Sequence, residues 1–123
     1  MRVLFTAVTA TFDEIAGTLV AGLAAGNGSQ GYLVFQRYSP GIIDDEGIYL
    51  EYNDQACSGY NIIAACRFSR ESLEVDFSES LGKLKNVTGI DVEFHIDDAS
   101  YDQFSRGLEQ VFRGDAKGCL TKD

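Results

Sequence analysis

The stretch GIYLEYNDQACSGY, residues 47–60, guides the interpretation of the fold because it joins a strand pattern to a turn pattern. Apolar side chains at 48, 50 and 52 alternate with Tyr49 and Glu51, which is the period-two pattern of a half-buried β-strand. Short polar residues at 53–55 favour a turn, since their side chains bond nearby backbone groups. Residues 53–60 are therefore expected to form a polar loop that contacts a partner or a small molecule. The alternative is a hairpin connection with its tyrosines packed on the sheet.

Further strand patterns lie on both sides of this stretch. The Asn27-Gly28 pair is typical of a tight turn, so residues 18–38 are predicted to form a β-hairpin. Asp13 and Glu14 are expected in a connection after the first strand. The remaining predicted strands are residues 2–10, 61–68, 73–77 and 90–96.

A helix is predicted after the last of these strands. Asp97 or Asp98 provides an N-cap carboxylate, and Gly114 follows the last apolar residue, as is common at a helix C-terminus. Apolar residues recur between them at helical spacing. They are Tyr101, Phe104, Leu108, Val111 and Phe112.

These patterns predict an α+β fold. We expect a mainly antiparallel β-sheet of about six to seven strands with one C-terminal α-helix packed on it, because the connections are too short for parallel crossovers. The length suits a single domain, residues 1–123, with its core at about 2–113 and a loose tail at 114–123.

The charge balance limits the partners of this protein. The formal net charge is −9, which repels nucleic acids and anionic membranes, so neither is an expected partner. A basic protein would be captured faster by long-range attraction. Acidity that serves only solubility is the alternative.

The 3 cysteines lack the C-x-x-C spacing, which suits a reducing compartment, and the first apolar run is broken by threonines, unlike a signal peptide. We therefore expect a protein of a reducing compartment that is not secreted.

Residues with catalytic or metal-binding chemistry are few. His95 is the single histidine, and no nucleophile stands at a diagnostic spacing from it, so a solvated strand histidine is expected. Asp44, Asp45 and Glu46 provide hard oxygen ligands, but the calcium-loop pattern is absent. Gly-rich phosphate-binding motifs are also missing. We expect no enzyme activity, no metal and no cofactor; the open alternatives are a hard cation at 44–46 and a pair of catalytic carboxylates, whose separation in space the sequence does not show.

Charged residues on two predicted strands are more informative. If the apolar side chains of 73–77 and 90–96 face the core, the acidic side chains between them face the other way. If these strands are neighbours, the carboxylates form a cluster that docks a basic protein. The alternative is a wet outer face balanced by Lys83, Lys85, Arg67 and Arg70. With the acidic segment and the polar loop, the candidate partner-binding residues are Asp44, Asp45, Glu46, Asp54, Tyr60, Glu74, Asp76, Asp91 and Glu93.

Several segments together resemble a known family. They are GYLVFQR at 31–37, GIYLEYNDQ at 47–55, SGY at 58–60, LEVDF at 73–77, and Asp97-Asp98 with the spacing to Phe104, Gly107, Leu108 and Phe112. Over about residues 17–113 the chain resembles the immunity protein 10 family of bacterial polymorphic toxin systems. The resemblance implies a cytoplasmic protein that is encoded beside a secreted toxin, binds the toxin domain and blocks it without a cofactor or turnover.

Two other functions remain open at this point. A small-molecule-binding domain or minor enzyme would use the loop at 53–60, with a deep pocket lined by Tyr52, Tyr60 and His95. A structural, self-assembling β protein is the third hypothesis. A homodimer through an uncovered sheet face is compatible with each of them.

Overall fold

The computed structural model describes residues 1–26, 31–38, 47–113 and 118–123, which form ten β-strands and one α-helix. The α+β class is confirmed. The expected count of about six to seven strands is too low, because three strands occupy segments predicted as connection, loop and tail. The elements are β1 (Arg2–Ala7), β2 (Thr9–Ile15), β3 (Thr18–Ala24), β4 (Tyr32–Tyr38), β5 (Tyr49–Tyr52), β6 (Asp54–Tyr60), β7 (Ile63–Phe68), β8 (Ser72–Phe77), β9 (Gly89–Phe94), α1 (Asp98–Phe112) and β10 (Leu120–Lys122).

The strands form two five-stranded sheets. The first sheet has the order β1-β9-β8-β7-β10, and the second has the order β2-β3-β4-β5-β6. The second sheet is antiparallel throughout, as expected from its short connections. In the first sheet the two outermost pairs, β1 with β9 and β10 with β7, are parallel.

The N-terminal segment differs from its prediction. Residues 2–10 were expected as one strand, but β1 belongs to the first sheet and β2 to the second. Asp13 and Glu14 lie inside β2, not in a connection. The turn comes three residues later, at Ala16 and Gly17, which both have positive φ, as a two-residue turn between twisted strands requires.

The predicted polar loop at 53–60 is wrong, because these residues form β6. The turn consists of Asn53 alone, with φ of 62°. Glu51 pairs with Ser58 and Tyr52 pairs with Asp54, so the extra residues of β6 are taken up by a bulge. Pairing with β5 therefore overrides the local turn preference of the polar side chains.

The helix is confirmed. Asp97 is the N-cap, and its Oδ1 accepts a hydrogen bond from Ser100 N at 2.7 Å. All five residues of the predicted apolar stripe are buried. Gly114 lies outside the described residues. The tail was expected to be loose, but Leu120–Lys122 forms β10 beside β7, which satisfies backbone groups at that sheet edge.

One hydrophobic core connects the helix to both sheets. The ring of Phe112 lies 6.0 Å from that of Phe35 in the second sheet, and the ring of Phe104 lies 6.1 Å from that of Phe94 at the end of β9 in the first sheet. Helix α1 therefore packs against the inner faces of both sheets. Each sheet keeps an outer face, defined here as the side whose residues point away from this core.

Candidate protein-binding surfaces

The first sheet brings together the four strand carboxylates predicted from the sequence. Strands β8 and β9 are neighbours, and Glu74 pairs directly with Asp91 in their antiparallel register. The buried side chains of these strands alternate with Glu74, Asp76, Asp91 and Glu93, which places all four on the outer face. The expected cluster of like charge is therefore present.

Two arginines on other strands of the same sheet lie among these carboxylates. Arg2 of β1 donates from Nη1 to Asp76 Oδ1 at 2.6 Å and from Nη2 to Asp91 Oδ1 at 2.7 Å. Arg67 of β7 lies with Nη2 3.0 Å from Glu74 Oε1 and 3.1 Å from Asp76 Oδ2. The side chains form a row of alternating charges in the order Asp91, Arg2, Asp76, Arg67 and Glu74. We call these five residues, with Glu93, the arginine–carboxylate face.

A glycine allows Arg2 to reach Asp76 across the intervening strand. Strand β9 lies between β1 and β8, and Gly89 is in register with Arg2 on one side and Asp76 on the other. A Cβ at Gly89 would lie 2.4 Å from Arg2 Nη1, so only a residue without a side chain lets the guanidinium cross β9. Arg2 also donates to the Val75 carbonyl at 3.2 Å, which holds it against β8.

The ion pairs affect the protonation of Asp76. Burial raises the pKa of this carboxyl group, but hydrogen bonds from Arg2 and Arg67 lower it by more, so its pKa lies below the usual value. Asp76 is therefore ionised at neutral pH and held between two cations. The sequence left open an outer face whose acidic residues are balanced by cations. Arg67 provides such a balance, because it pairs with Glu74 and Asp76.

The other predicted balancing cations do not take part. Arg70 pairs with Asp98 at the start of the helix, at 2.9 Å. Across the described parts of the chain, no ion pair joins Lys83 or Lys85 to this face. Glu93 lies 3.2 Å from His95 Nε2, and both side chains are well exposed. The solvated histidine expected from the sequence is what the structure shows.

The outer face of the second sheet has a different composition. Its side chains are mainly threonine, valine and tyrosine, and Asp13 and Glu51 are its acidic residues. Arg37 is the only Lys or Arg in β2–β6, and it points to the core side, where Nη1 lies 3.3 Å from the carbonyl oxygens of Val111 and Arg113. Among the residues that the structure describes, no cation is within ion-pair distance of Asp13 or Glu51.

Glu51 is the centre of a tyrosine cluster on this face. The Tyr49 hydroxyl donates to Glu51 Oε1 at 2.5 Å, and the Tyr32 hydroxyl donates to Oε2. The ring of Tyr60 lies 5.1 Å from that of Tyr49. The bond to Glu51 raises the pKa of Tyr32 to about 12, while burial and then the same carboxylate raise the pKa of Tyr49. Tyr32, Tyr49, Glu51 and Tyr60 are called the tyrosine face below.

A shallow cleft of about 110 Å³ borders the tyrosine face. Tyr49, Tyr60, Tyr38 and Gln36 contribute to its walls. Tyr60 and Tyr38 are 47% and 40% exposed, so much of each ring is available for contact. The cleft is too small for a drug-sized ligand, which occupies about 300 Å³ or more.

Asp54 and Tyr60, the other predicted site residues that the structure describes, lie at opposite ends of β6. Asp44, Asp45 and Glu46 lie outside the described residues. Asp54 begins β6, where its Oδ1 accepts a hydrogen bond from Ala56 N at 2.9 Å. Of the six candidates that the structure describes, only Tyr60 lies on the tyrosine face.

Sequence reasoning missed Tyr32, Tyr49 and Glu51, because their convergence requires the β4–β5 pairing. The alternation of residues 48–52, with Tyr49 and Glu51 on one side of the strand, is the signal that could have found two of them.

The alternative small-molecule site is not assembled. Tyr60 lines the cleft, whereas the ring of Tyr52 packs 6.1 Å from that of Phe5 against the core. His95 follows β9 in the first sheet. In the described portion of the protein, three or more metal-ligating side chains do not converge at any point. Within that same portion, no helix has both the length and the apolar character to span a membrane.

The comparison with protein families identifies the chain. The family model described as Immunity protein 10 matches residues 5–102, which includes β1 to β9 apart from the first residues of β1 and also includes the start of α1. The chain belongs to the Immunity protein 10 family. The family resemblance noted from the sequence is confirmed. No curated protein and no solved structure matches this chain.

Proposed function

We propose that this protein neutralises a cognate bacterial toxin domain by binding to it, without catalysing a reaction. The observation that carries the proposal is the match to the Immunity protein 10 family over residues 5–102. The partner would be the toxin of a polymorphic toxin system, and binding would take place in the cytoplasm of the producing cell. Residues 1–123 would act as one domain.

Surface charge supports a basic toxin as the partner. The net charge of −9 attracts a cationic protein from a distance and accelerates its capture, provided that the ionic strength is moderate. Two open outer faces offer surface for a contact of the usual size, about 800 Å² on each partner. The nine candidate residues from the sequence remain part of this proposal, the eight acidic ones as sources of the negative potential and Tyr60 as a contact residue.

Co-expression tests the proposal directly. The toxin domain encoded beside this gene is produced in a host cell with and without this protein, and cell survival and co-purification are measured. We expect survival only with this protein, together with a stable complex of one copy of each chain. Normal toxicity in the presence of the folded protein, with no complex, would refute the proposal.

A parallel assay checks for catalysis. The toxin recovered from the complex should have an unchanged mass and should regain its activity after denaturation and separation. A covalently altered toxin would show that the protein acts as an enzyme.

A further inference from the structure

The two outer faces differ in how much of their negative charge is available. On the arginine–carboxylate face, Asp76 and Asp91 are each bound by Arg2, and Glu74 is bound by Arg67. A toxin cation that approached them would have to displace an arginine already in place. Such a replacement exchanges one ion pair for another and yields little net affinity.

Glu51 on the tyrosine face has no competing cation among the described residues. Its two oxygens accept hydrogen bonds from Tyr32 and Tyr49, which fix the carboxylate without neutralising its charge. Each carboxylate oxygen has a second lone pair, so Glu51 can still accept from a guanidinium or an ammonium group. The rings around it add cation–π attraction for the same group.

The surroundings of Glu51 form a broad surface. In register across the sheet, Thr11, Gly22, Val34, Glu51 and Ser58 form one row of mostly small side chains. The adjacent row ends in Tyr49 and Tyr60. Tyrosine is enriched at protein interfaces because it provides a large contact area and a hydrogen bond at low cost in conformational entropy.

We propose that the outer face of the second sheet is the surface that binds the toxin, and that Glu51 receives a lysine or arginine side chain of a basic toxin surface between the tyrosine rings. This proposal rests on the proposed function and specifies its contact surface. The arginine–carboxylate face, in contrast, mainly stabilises the fold of the first sheet.

Matched substitutions on the two faces test the assignment. Glu51→Gln and Glu74→Gln each remove one carboxylate from the outer face of an interior strand, and affinity for the purified toxin domain is measured for both. We expect Glu51→Gln to weaken binding by about tenfold or more, as for a hot-spot charge, and Glu74→Gln to change it by less than about twofold. Tyr60→Ala, which removes an exposed ring, should weaken binding by about tenfold or more.

A second pair of variants adds charge in place of removing it. Thr11→Lys puts a cation in the row of Glu51, and Thr6→Lys puts one on the other outer face, opposite Glu93. Among the described contacts neither threonine side chain makes a hydrogen bond, so both variants should fold. Thr11→Lys should slow association by about threefold or more, with a smaller effect at high salt, and Thr6→Lys should leave the association rate nearly unchanged.

The outcomes separate this inference from the proposed function. The wild-type protein could bind the toxin while Glu74→Gln and Thr6→Lys, and not the variants of the second sheet, weaken or slow binding. The proposed contact surface would then be wrong, while the proposed function would stand. If substitutions on both faces leave the affinity unchanged, the inference is also refuted. If the wild-type protein neither binds nor neutralises the toxin, the proposed function fails, and the inference fails with it. Circular dichroism of each variant confirms that a loss of binding is not a loss of folding.

Discussion

The outer faces of the two sheets use acidic residues in opposite ways. On the first sheet, Glu74, Asp76 and Asp91 are interleaved with arginines from β1 and β7, and Glu93 lies beside His95. On the second sheet, Glu51 is bound by tyrosine hydroxyls and has no cation within reach among the described residues. The strands of the first sheet contain four carboxylates and three cations, whereas those of the second contain four carboxylates and one inward-pointing arginine.

The contrast shows that a cluster of acidic residues is not the same as an available negative surface. Direct ion pairs offset the charge of both partners and hold their side chains in one geometry. Phenol donors orient a carboxylate but leave its charge in place. The face that looks more acidic in sequence is therefore the one with less charge to offer to a partner.

The largest effect on stability is expected from Arg2→Met. The change keeps an aliphatic chain beside Gly89 but removes the cation between Asp76 and Asp91, so that the two carboxylates repel each other. We expect the free energy of unfolding at neutral pH to fall by about 1–2 kcal/mol, measured by urea denaturation, and the loss to shrink in high salt.

Glu74→Gln is the matched control for Arg2→Met. Glu74 is the last residue in the row of alternating charges, and its side chain is half exposed. The Glu74→Gln change should therefore lower the free energy of unfolding by less than about 0.5 kcal/mol. If Arg2→Met is as mild as this control, the first face is not a stabilising network. Its carboxylates would then be as available as Glu51, and the contrast between the faces would disappear.

The arginine–carboxylate face is expected to make the stability of the protein fall at acidic pH. The pKa of Asp76 is lower in the folded protein than in the unfolded chain, so its contribution is present above about pH 4 and is lost as the pH falls through the folded-state pKa. The stability difference between wild type and Asp76→Asn should therefore be smaller at about pH 3 than at about pH 7. A constant difference would show that the arginines do not favour the ionised form of Asp76.

Asp97 provides an internal reference for this measurement. Its pKa is lowered by the backbone hydrogen bond from Ser100 at the helix N-terminus, away from the arginine–carboxylate face. The Asp76→Asn variant keeps Asp97 and its hydrogen bond, so the variant should still lose some stability at low pH.

The smallest expected effect is a loss of stability at alkaline pH, which comes from the tyrosine face. The pKa of Tyr32 is raised to about 12, so its contribution to stability is present below the unfolded-state pKa of about 10 and is lost as the pH rises through the folded-state value. In a tyrosinate absorbance titration, Tyr32→Phe should remove a late-titrating group, and Glu51→Gln should shift that group to lower pH. A wild-type protein whose tyrosines all titrate near pH 10 would contradict the Tyr32 to Glu51 hydrogen bond.

Local patterns were sufficient for several parts of the fold. The apolar stripe from Tyr101 to Phe112 and the Asp97 cap identify α1, because both depend only on residues a few positions apart. The alternation in β8 and β9 correctly places Glu74, Asp76, Asp91 and Glu93 on one side of their strands. Family membership was also recognisable, because its segments are distributed over most of the chain.

Long-range pairing explains the errors. Polar residues at 53–60 favour a loop locally, yet β6 forms because β5 offers hydrogen-bonding groups beside it. Residues 2–10 divide at Val8 because β1 pairs with β9, far along the chain, while β2 pairs with β3. Parallel pairs such as β10 with β7 leave no short-range sign, since no turn joins them.

The amino-acid sequence by itself determined the α+β class, the helix, the acidity and the family of this protein, because periodicity, composition and segment similarity need no knowledge of which strands meet. The tertiary structure alone decided which carboxylates are neutralised. Arg2 reaches Asp76 only because Gly89 lies between them in the sheet, and Glu51 meets Tyr32 only because β4 and β5 are paired. Electrostatic interactions depend on distances of a few ångströms, and those distances are set by strand register between residues that are remote in the chain.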